Sequence, residues 1–207
     1  MSNSFPNYEL VWMTSGERGT PWRDDFTSSN PGIIQHVSTG EETGEEGWLN
    51  CDRNIRHWWW ENGAAVETEW LVFMEYDTLP RANLAAALGK PRPRVGMMGA
   101  TVMQGVRDRG WPGFQDIDKL PLKMRAGAIG ICPQAICAVR RDVLDAICSP
   151  VYDELFAVSM LGELRLTTIA GYEGFRIQAA AAMPNVKAYR IAAPGEGVSG
   201  IFHAIKP

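Results

Sequence analysis

Along this chain the spacing of apolar residues changes several times, and each change predicts an element. Trp70, Leu71, Val72, Phe73 and Met74 form an unbroken apolar run, the pattern of a strand buried on both faces of a sheet. Glu75 and Asp77 follow at once with Tyr76 between them, so on an extended chain both carboxylates project from the same side. Pro80 then closes the strand, because proline offers no donor to a ladder. Upstream, residues 8–13 (YELVWM) predict a first strand and 33–37 a second. Residues 15–31 are polar and carry Gly16, Gly19, Pro21 and Pro31, which predicts a loop. Over 48–62, Trp48, Cys51, Ile55 and Trp59 recur at helical spacing, and Gly63 supplies a stop. Consecutive helical residues point about 100° apart. Trp58, Trp59 and Trp60 therefore cannot share one core face, and at least one indole must cover a loop, line a pocket or meet a partner.

Residues 82–88 read as a short alanine-rich helix and 95–98 as a strand. A polar, glycine-containing excursion follows over 104–121, and loops of that length are usually functional or disordered. Residues 126–131 predict a small-residue strand. Pro133 then suits the first turn of a helix whose apolar stripe runs through Ile136, Val139, Val143, Leu144 and Ile147. Residues 152–161 predict a further helix with Asp153 and Glu154 in its first turn, where the helix dipole favours acids. A strand-like segment over 162–169 leads to strands at 174–178 and 186–191, and Ile201 and Phe202 deliver His203 and Lys206 near the end. Strands and helices alternate through the first 150 residues. That predicts an α/β fold, one domain over 1–207, with a mixed, mostly parallel sheet and helices on both faces.

Composition narrows the classes. A chain of 207 residues is long enough for one good core and short for two. Its 45% hydrophobic and 21% charged residues exclude disorder. The net charge of −4 offers no basic footprint, so nucleic acid is not an expected partner. No apolar run approaches the length of a transmembrane segment, and the first residues lack the order of a signal peptide, so a cytoplasmic protein is expected. Cys51, Cys132, Cys137 and Cys148 form no CxxC pair. Three of them lie in or beside the predicted helix after Pro133, which suits reduced, buried thiols rather than zinc ligands or disulfides. Glu41, Glu42, Glu45 and Glu46 crowd residues 38–47, the composition of a solvated loop.

Two carboxylates at the carboxyl end of a buried central strand lie where open α/β sheets bind their ligands. They suit a hard cation that itself holds phosphate oxygens, although an acidic strand end facing solvent accounts for the spacing equally well. His203, if returned to the same mouth of the sheet, adds an imidazole and makes a site for Mn²⁺ or Mg²⁺. Lys206 would bring a compact positive charge to the same phosphates.

Glu75-Tyr76-Asp77 at the end of a buried apolar strand resembles the DxD-type motif of nucleotide-sugar glycosyltransferases of the GT-A fold. The chain is similar to that class in three further stretches: AGAIGICPQAICAVRRDVLDAI, SMLGELRLTT and the terminal HAIK. The resemblance covers residues 48–206 in order. The resemblance implies a metal-dependent enzyme that moves a sugar from a nucleoside-diphosphate sugar to a saccharide or other hydroxyl acceptor. It implies Asp77 as metal ligand, Glu75 as metal or ribose contact, His203 as third ligand and Lys206 on the diphosphate. Asp52, off the apolar stripe of its helix, is a further candidate cofactor contact. An inverting reaction also needs a carboxylate to take the acceptor's hydroxyl proton. Glu163 is the first candidate, because it follows Gly162 and precedes the strand-like segment; Glu154 and Asp153 come second. A salt bridge to Arg165 would account for Glu163 as well, and helix-start stabilisation for the other two.

The chain departs from the class at its front, where only two strands and one helix precede the Glu-Tyr-Asp strand. A trimmed or non-catalytic relative that binds a carbohydrate or nucleotide is therefore an open alternative. So is a metal-dependent phosphoesterase on Glu75, Asp77 and His203, for which three histidines are few. A carbohydrate-binding module is the third, since seven of the eight tryptophans lie in the first 70 residues and sugar rings stack on exposed indoles.

Overall fold

The computed structural model describes residues 5–14, 18–40, 49–100, 102–104, 112–133, 135–186 and 191–205. The first part of the chain gives β1 (Tyr8–Thr14), α1 (Arg23–Ser29), β2 (Gln35–Thr39) and α2 (Cys51–Asn62). Then come β3 (Trp70–Glu75), β4 (Leu79–Arg81), α3 (Leu84–Leu88), β5 (Val95–Gly99) and β6 (Met103–Gln104). The second half adds β7 (Gly130–Ile131), β8 (Ile136–Arg140), α4 (Arg141–Ile147), α5 (Asp153–Ala157), α6 (Gly162–Tyr172), β9 (Arg176–Ala179) and β10 (Gly200–Phe202).

Six strands form the main sheet in the order β2-β1-β3-β8-β5-β9. The pairs β1–β2, β1–β3 and β5–β9 are parallel, and β8 runs antiparallel to both neighbours. β3 lies inside this sheet, with Trp70 through Met74 at most 2% exposed. Its alternation divides two cores. Leu71 and Phe73 pack with Ile55, Trp58 and Trp59 of α2 and with residues of α4 and α6. Trp70, Val72 and Met74 pack with Phe26 of α1 and Leu84 and Leu88 of α3. Burial on both faces is what an uninterrupted apolar strand requires.

Several expectations need correction. The apolar stripe beginning at Ile136 is not one helix: residues 136–140 are β8, hydrogen-bonded on both edges to β3 and β5, and only Arg141 onward is helical. The strand-like segment at 162–169 is helix α6, whose residues from Gly162 to Ala170 are all buried. A helix enclosed on every side has no polar face to mark its period. The loop at 15–31 contains α1, anchored by Phe26. Within 126–131 only Gly130–Ile131 is strand, after a 3-10 turn over Leu122–Gly127. From 186–191, Val186 makes a parallel bridge to His203; residues 187–190 lie outside the described residues, as do Trp48, the acidic stretch 41–46 and Lys206. All four cysteines are free thiols, and Cys137 sits on β8 rather than in a helix. Among the described residues no helix is long and apolar enough to cross a membrane.

A buried acid pins the start of the sheet. Glu9 on β1 is 3% exposed and accepts hydrogen bonds from His36 Nε2 at 2.6 Å, the Glu67 and Thr68 amides at 3.1 and 3.3 Å, and Thr68 Oγ1 at 3.2 Å. Burial pushes its carboxyl up, but these donors outweigh burial and hold it below the ordinary value. A carboxyl lowered by folding contributes stability above its unfolded value, about 4.3, and that contribution is lost as pH falls through the folded value. Glu9→Gln should therefore cost about 1–3 kcal/mol near neutral pH and flatten the acid limb of the stability curve. Urea unfolding of both proteins across pH 3–7 reads this out, and parallel curves would refute it.

Candidate metal centre

β3 ends at Glu75 because the chain turns there. The Glu75 amide donates to the Ala135 carbonyl at 3.1 Å, Tyr76 to Met13 at 3.0 Å, and Thr78 back to Glu75 at 3.0 Å. Thr78 Oγ1 also donates to the Ala135 carbonyl, at 3.3 Å. Tyr76 and Asp77 thus sit in a turn, and the two carboxylates are brought together by that turn rather than by strand alternation. The turn leads into β4, which pairs antiparallel with β10, Leu79 opposite Phe202 and Pro80 opposite Ile201. Leu79, Phe202 and Ile205 form a small apolar cluster, and the Ile205 amide donates to the Asp77 carbonyl at 2.9 Å. The late segment is tied to the motif from both sides of His203.

Donor atoms of Glu75, Asp77 and His203 lie within 4.8 Å of one another. His203 Nε2 donates to Glu75 Oε2 at 2.8 Å and lies 3.3 Å from Asp77 Oδ1. His203 and Asp77 are buried, whereas the Glu75 side chain is 34% exposed and opens the group to solvent. Asp77 Oδ1 is buried and accepts no hydrogen bond. An ionised oxygen in that state is costly unless a cation meets it. Burial pushes the His203 imidazole down, yet the Asp77 and Glu75 carboxylates outweigh burial and push it up to about 10. The imidazolium therefore supplies the positive charge that the two acids call for. Once its Nε2 proton is released, the imidazole joins the two carboxylates in a donor set suited to Mn²⁺ or Mg²⁺.

The tail's anchoring has a measurable side. Ile201 is 4% exposed. Ile201→Ala should cost about 2 kcal/mol, the low end for deleting buried methyl groups, because β10 pairs only in a two-stranded ribbon separate from the six-stranded sheet. It should also weaken Mn²⁺ binding, since His203 follows two residues later. Urea unfolding and metal titration calorimetry test both, and unchanged Mn²⁺ affinity would contradict the anchoring role.

The other expected site residues lie elsewhere. Asp52 does not face open space: its side chain is 0% exposed, and its carboxylate takes Arg165 Nε at 2.7 Å and Nη2 at 2.9 Å. Glu163 is buried in the first turn of α6. It lies outside the three-residue group, but its charge acts on the same buried thiol as Glu75. Cys51 is pushed up first by burial and then by the charges of Glu163, Asp52 and Glu75. Glu154 is exposed on α5, next to Asp153, which pairs with Arg56. Arg18 escaped the sequence reading. Its Nη1 donates to the Tyr76 hydroxyl at 2.7 Å and its guanidinium lies 4.9 Å from the ring centroid, which sets a cation beside the motif. The one signal for it was a lone basic residue just before Gly19, after the first strand.

No protein-family model matches the chain, and no curated protein sequence matches it. Solved structures do. An active-site mutant of LgtC is similar over 96% of this chain and 88% of its own, at 11% identity and a TM-score of 0.52. A197 from STIV covers 85% and 82%, at 11% identity and 0.51. The mannosyltransferase PcManGT from Pyrobaculum calidifontis, solved in complex with GDP-Man and Mn²⁺, covers 86% of this chain at 16% identity and a TM-score of 0.47, and this chain spans only 55% of its length. At such identities the likeness is one of fold. The mixed α/β sheet, mostly parallel and GT-A-like, bears out the class expected from the sequence.

Proposed function

We propose that this protein is a metal-dependent glycosyltransferase that transfers a sugar from a nucleoside-diphosphate sugar to a hydroxyl acceptor. The observation that carries the reading is the convergence of Glu75, Asp77 and His203 within 4.8 Å. Asp77, Glu75 and His203 would hold Mn²⁺ or Mg²⁺, Glu75 sharing its exposed carboxylate with the metal or the donor's ribose. The cation would offset charge developing on the departing nucleoside diphosphate. The turn at Tyr76 and its bonds to Ala135 and Met13 keep the two carboxylates in place, and the β4–β10 ribbon holds the imidazole against them. Lys206 is assigned to the diphosphate, and Glu163 to the acceptor's hydroxyl proton, with Glu154 as the second candidate base.

Thermal unfolding with UDP-, GDP-, CMP- and dTDP-sugars, with and without Mn²⁺, tests this directly. A ligand at a hundredfold excess over its dissociation constant adds about 2.7 kcal/mol to the folded state. Stabilisation that needs both the metal and one nucleotide supports the reading. Release of inorganic phosphate from simple esters would instead make the protein a phosphoesterase, and the absence of any nucleotide effect would sink the proposal.

A further inference from the structure

Cys132 and Cys137 are free thiols, both fully buried, and their Sγ atoms lie 3.7 Å apart in hydrogen-bonding contact. Neither belongs to the candidate metal centre. β8 holds Cys137 from both edges, opposite Phe73 of β3 and Gly99 of β5. Cys132 directly follows β7, and its Sγ rests on Gly99, where a Cβ would come within 2.4 Å. A glycine at 99 is thus what leaves room for the second sulfur beside the first. Between the two cysteines lies Ala135, whose carbonyl accepts from the Glu75 amide at 3.1 Å and from Thr78 Oγ1 at 3.3 Å. The segment bracketed by the thiols therefore also supports the carboxylate motif.

We propose that Cys132 and Cys137 form an oxidisable dithiol that hydrogen peroxide converts to an intramolecular disulfide. One sulfur attacks the peroxide O–O bond as its thiolate and becomes a sulfenic acid; the released hydroxide takes the thiol's proton and leaves as water. The partner thiol, 3.7 Å away, then attacks that sulfur, the S–O bond breaks, and a second water departs. Two thiols and one peroxide thus give one disulfide and two waters. The first step is slow: the hydrogen bond to Cys132, then burial, hold the Cys137 thiol well above its ordinary value, and the thiolate is the nucleophile. Burial also limits the oxidant to one little larger than water, admitted by local opening. The second step is fast, because the reacting sulfurs are brought together in advance. Closing the bond draws them about 1.6 Å nearer. β8 is fixed on both edges, so the movement falls on Cys132 and the stretch up to Ala135, and the bonds holding Glu75 and Thr78 loosen. Oxidation then weakens Mn²⁺ binding, a consequence that rests on the transferase reading of that centre.

The full chain is treated with millimolar hydrogen peroxide in metal-free buffer, alkylated under denaturing conditions and cleaved with trypsin. Residues 126–140, which carry both cysteines between Arg125 and Arg141, should emerge as one unalkylated peptide lighter by two hydrogens, and dithiothreitol should restore it. Cys51 and Cys148 should remain alkylated. The oxidised protein should bind Mn²⁺ several-fold more weakly by calorimetry, and its Glu75 amide should exchange hydrogen faster. In Cys132→Ser, peroxide should change neither readout. Amide exchange needs no metal, so a reduced protein that binds no Mn²⁺ removes the transferase reading while the dithiol is still tested. The proposal is overturned if peroxide leaves residues 126–140 unoxidised or takes them to sulfinic acid, or if the disulfide includes Cys51 or Cys148. It is equally overturned if the link forms only in urea, or if the Glu75 amide keeps its protection after oxidation.

Discussion

Replacing Asp77 by asparagine abolishes Mn²⁺-dependent binding of nucleoside diphosphates and leaves the folded protein close to wild-type stability. Asparagine keeps the shape of the side chain but removes the charge, and with it the pull on a divalent cation. The substitution weakens the contact of Asp77 Oδ1 with His203 Nε2, which at 3.3 Å is longer than a good hydrogen bond. His203 keeps Glu75 at 2.8 Å as a partner. The cost to folding should therefore stay within about 1–2 kcal/mol, the common range for single substitutions. Calorimetric titration of UDP and GDP with and without Mn²⁺, run beside urea unfolding, separates the two effects. An unchanged metal-dependent affinity would remove Asp77 from the site and the transferase reading with it.

Asp52→Ala has the opposite profile and should unfold the protein far more readily. Arg165 is fully buried and spends its donors on Asp52 at 2.7 and 2.9 Å, Asn50 Oδ1 at 3.2 Å, and the Val158 and Leu155 carbonyls at 2.7 and 3.3 Å. Its guanidinium also lies 4.9 Å from the centroid of the Phe156 ring. Removing Asp52 leaves that charge buried without its counter-ion, a change that costs about 3–5 kcal/mol. Changing Asp52 and Arg165 together to apolar residues of similar volume should recover much of the loss, because the desolvation of both charges is then avoided. The Gly162 position bears on the same contact, since a Cβ there would come 2.3 Å from Asp52 Oδ1. A cost below about 1 kcal/mol for Asp52→Ala would show the pair to be dispensable.

β3 was legible because both of its faces are buried, so Trp70 through Met74 carry no polar interruption. His203 was legible because Ile201 and Phe202 give the late segment something to bury. α6 was not, for the same reason β3 was: full enclosure erases the period, and a buried helix and a buried strand then look alike. Arg165 compounded this, since a charged residue reads as solvent-facing, and only the fold reveals Asp52 as its partner. β8 was misread because Ile136, Val139, Val143 and Ile147 happen to suit a helix. Hydrogen bonds from β3 and β5 on either edge decide otherwise, and partners so far away in sequence leave no local mark.

The insertion of β8 between β3 and β5 also sets the order in which the chain can fold. β3 pairs with β8 across some sixty residues, Met74 lying opposite Ile136, and β5 finds β9 only when Arg176 has been made. Such non-local pairings are slow to form, and until β8 arrives the apolar edges of β3 and β5 are open to pairing with other chains. During synthesis the half-built sheet is thus a sticky intermediate. The Glu75–His203 contact bridges 128 residues, so it forms only once the last strand has docked. Affinity for Mn²⁺ should therefore be absent from every partly folded species and appear together with the native state, making the ion a reporter of completed folding.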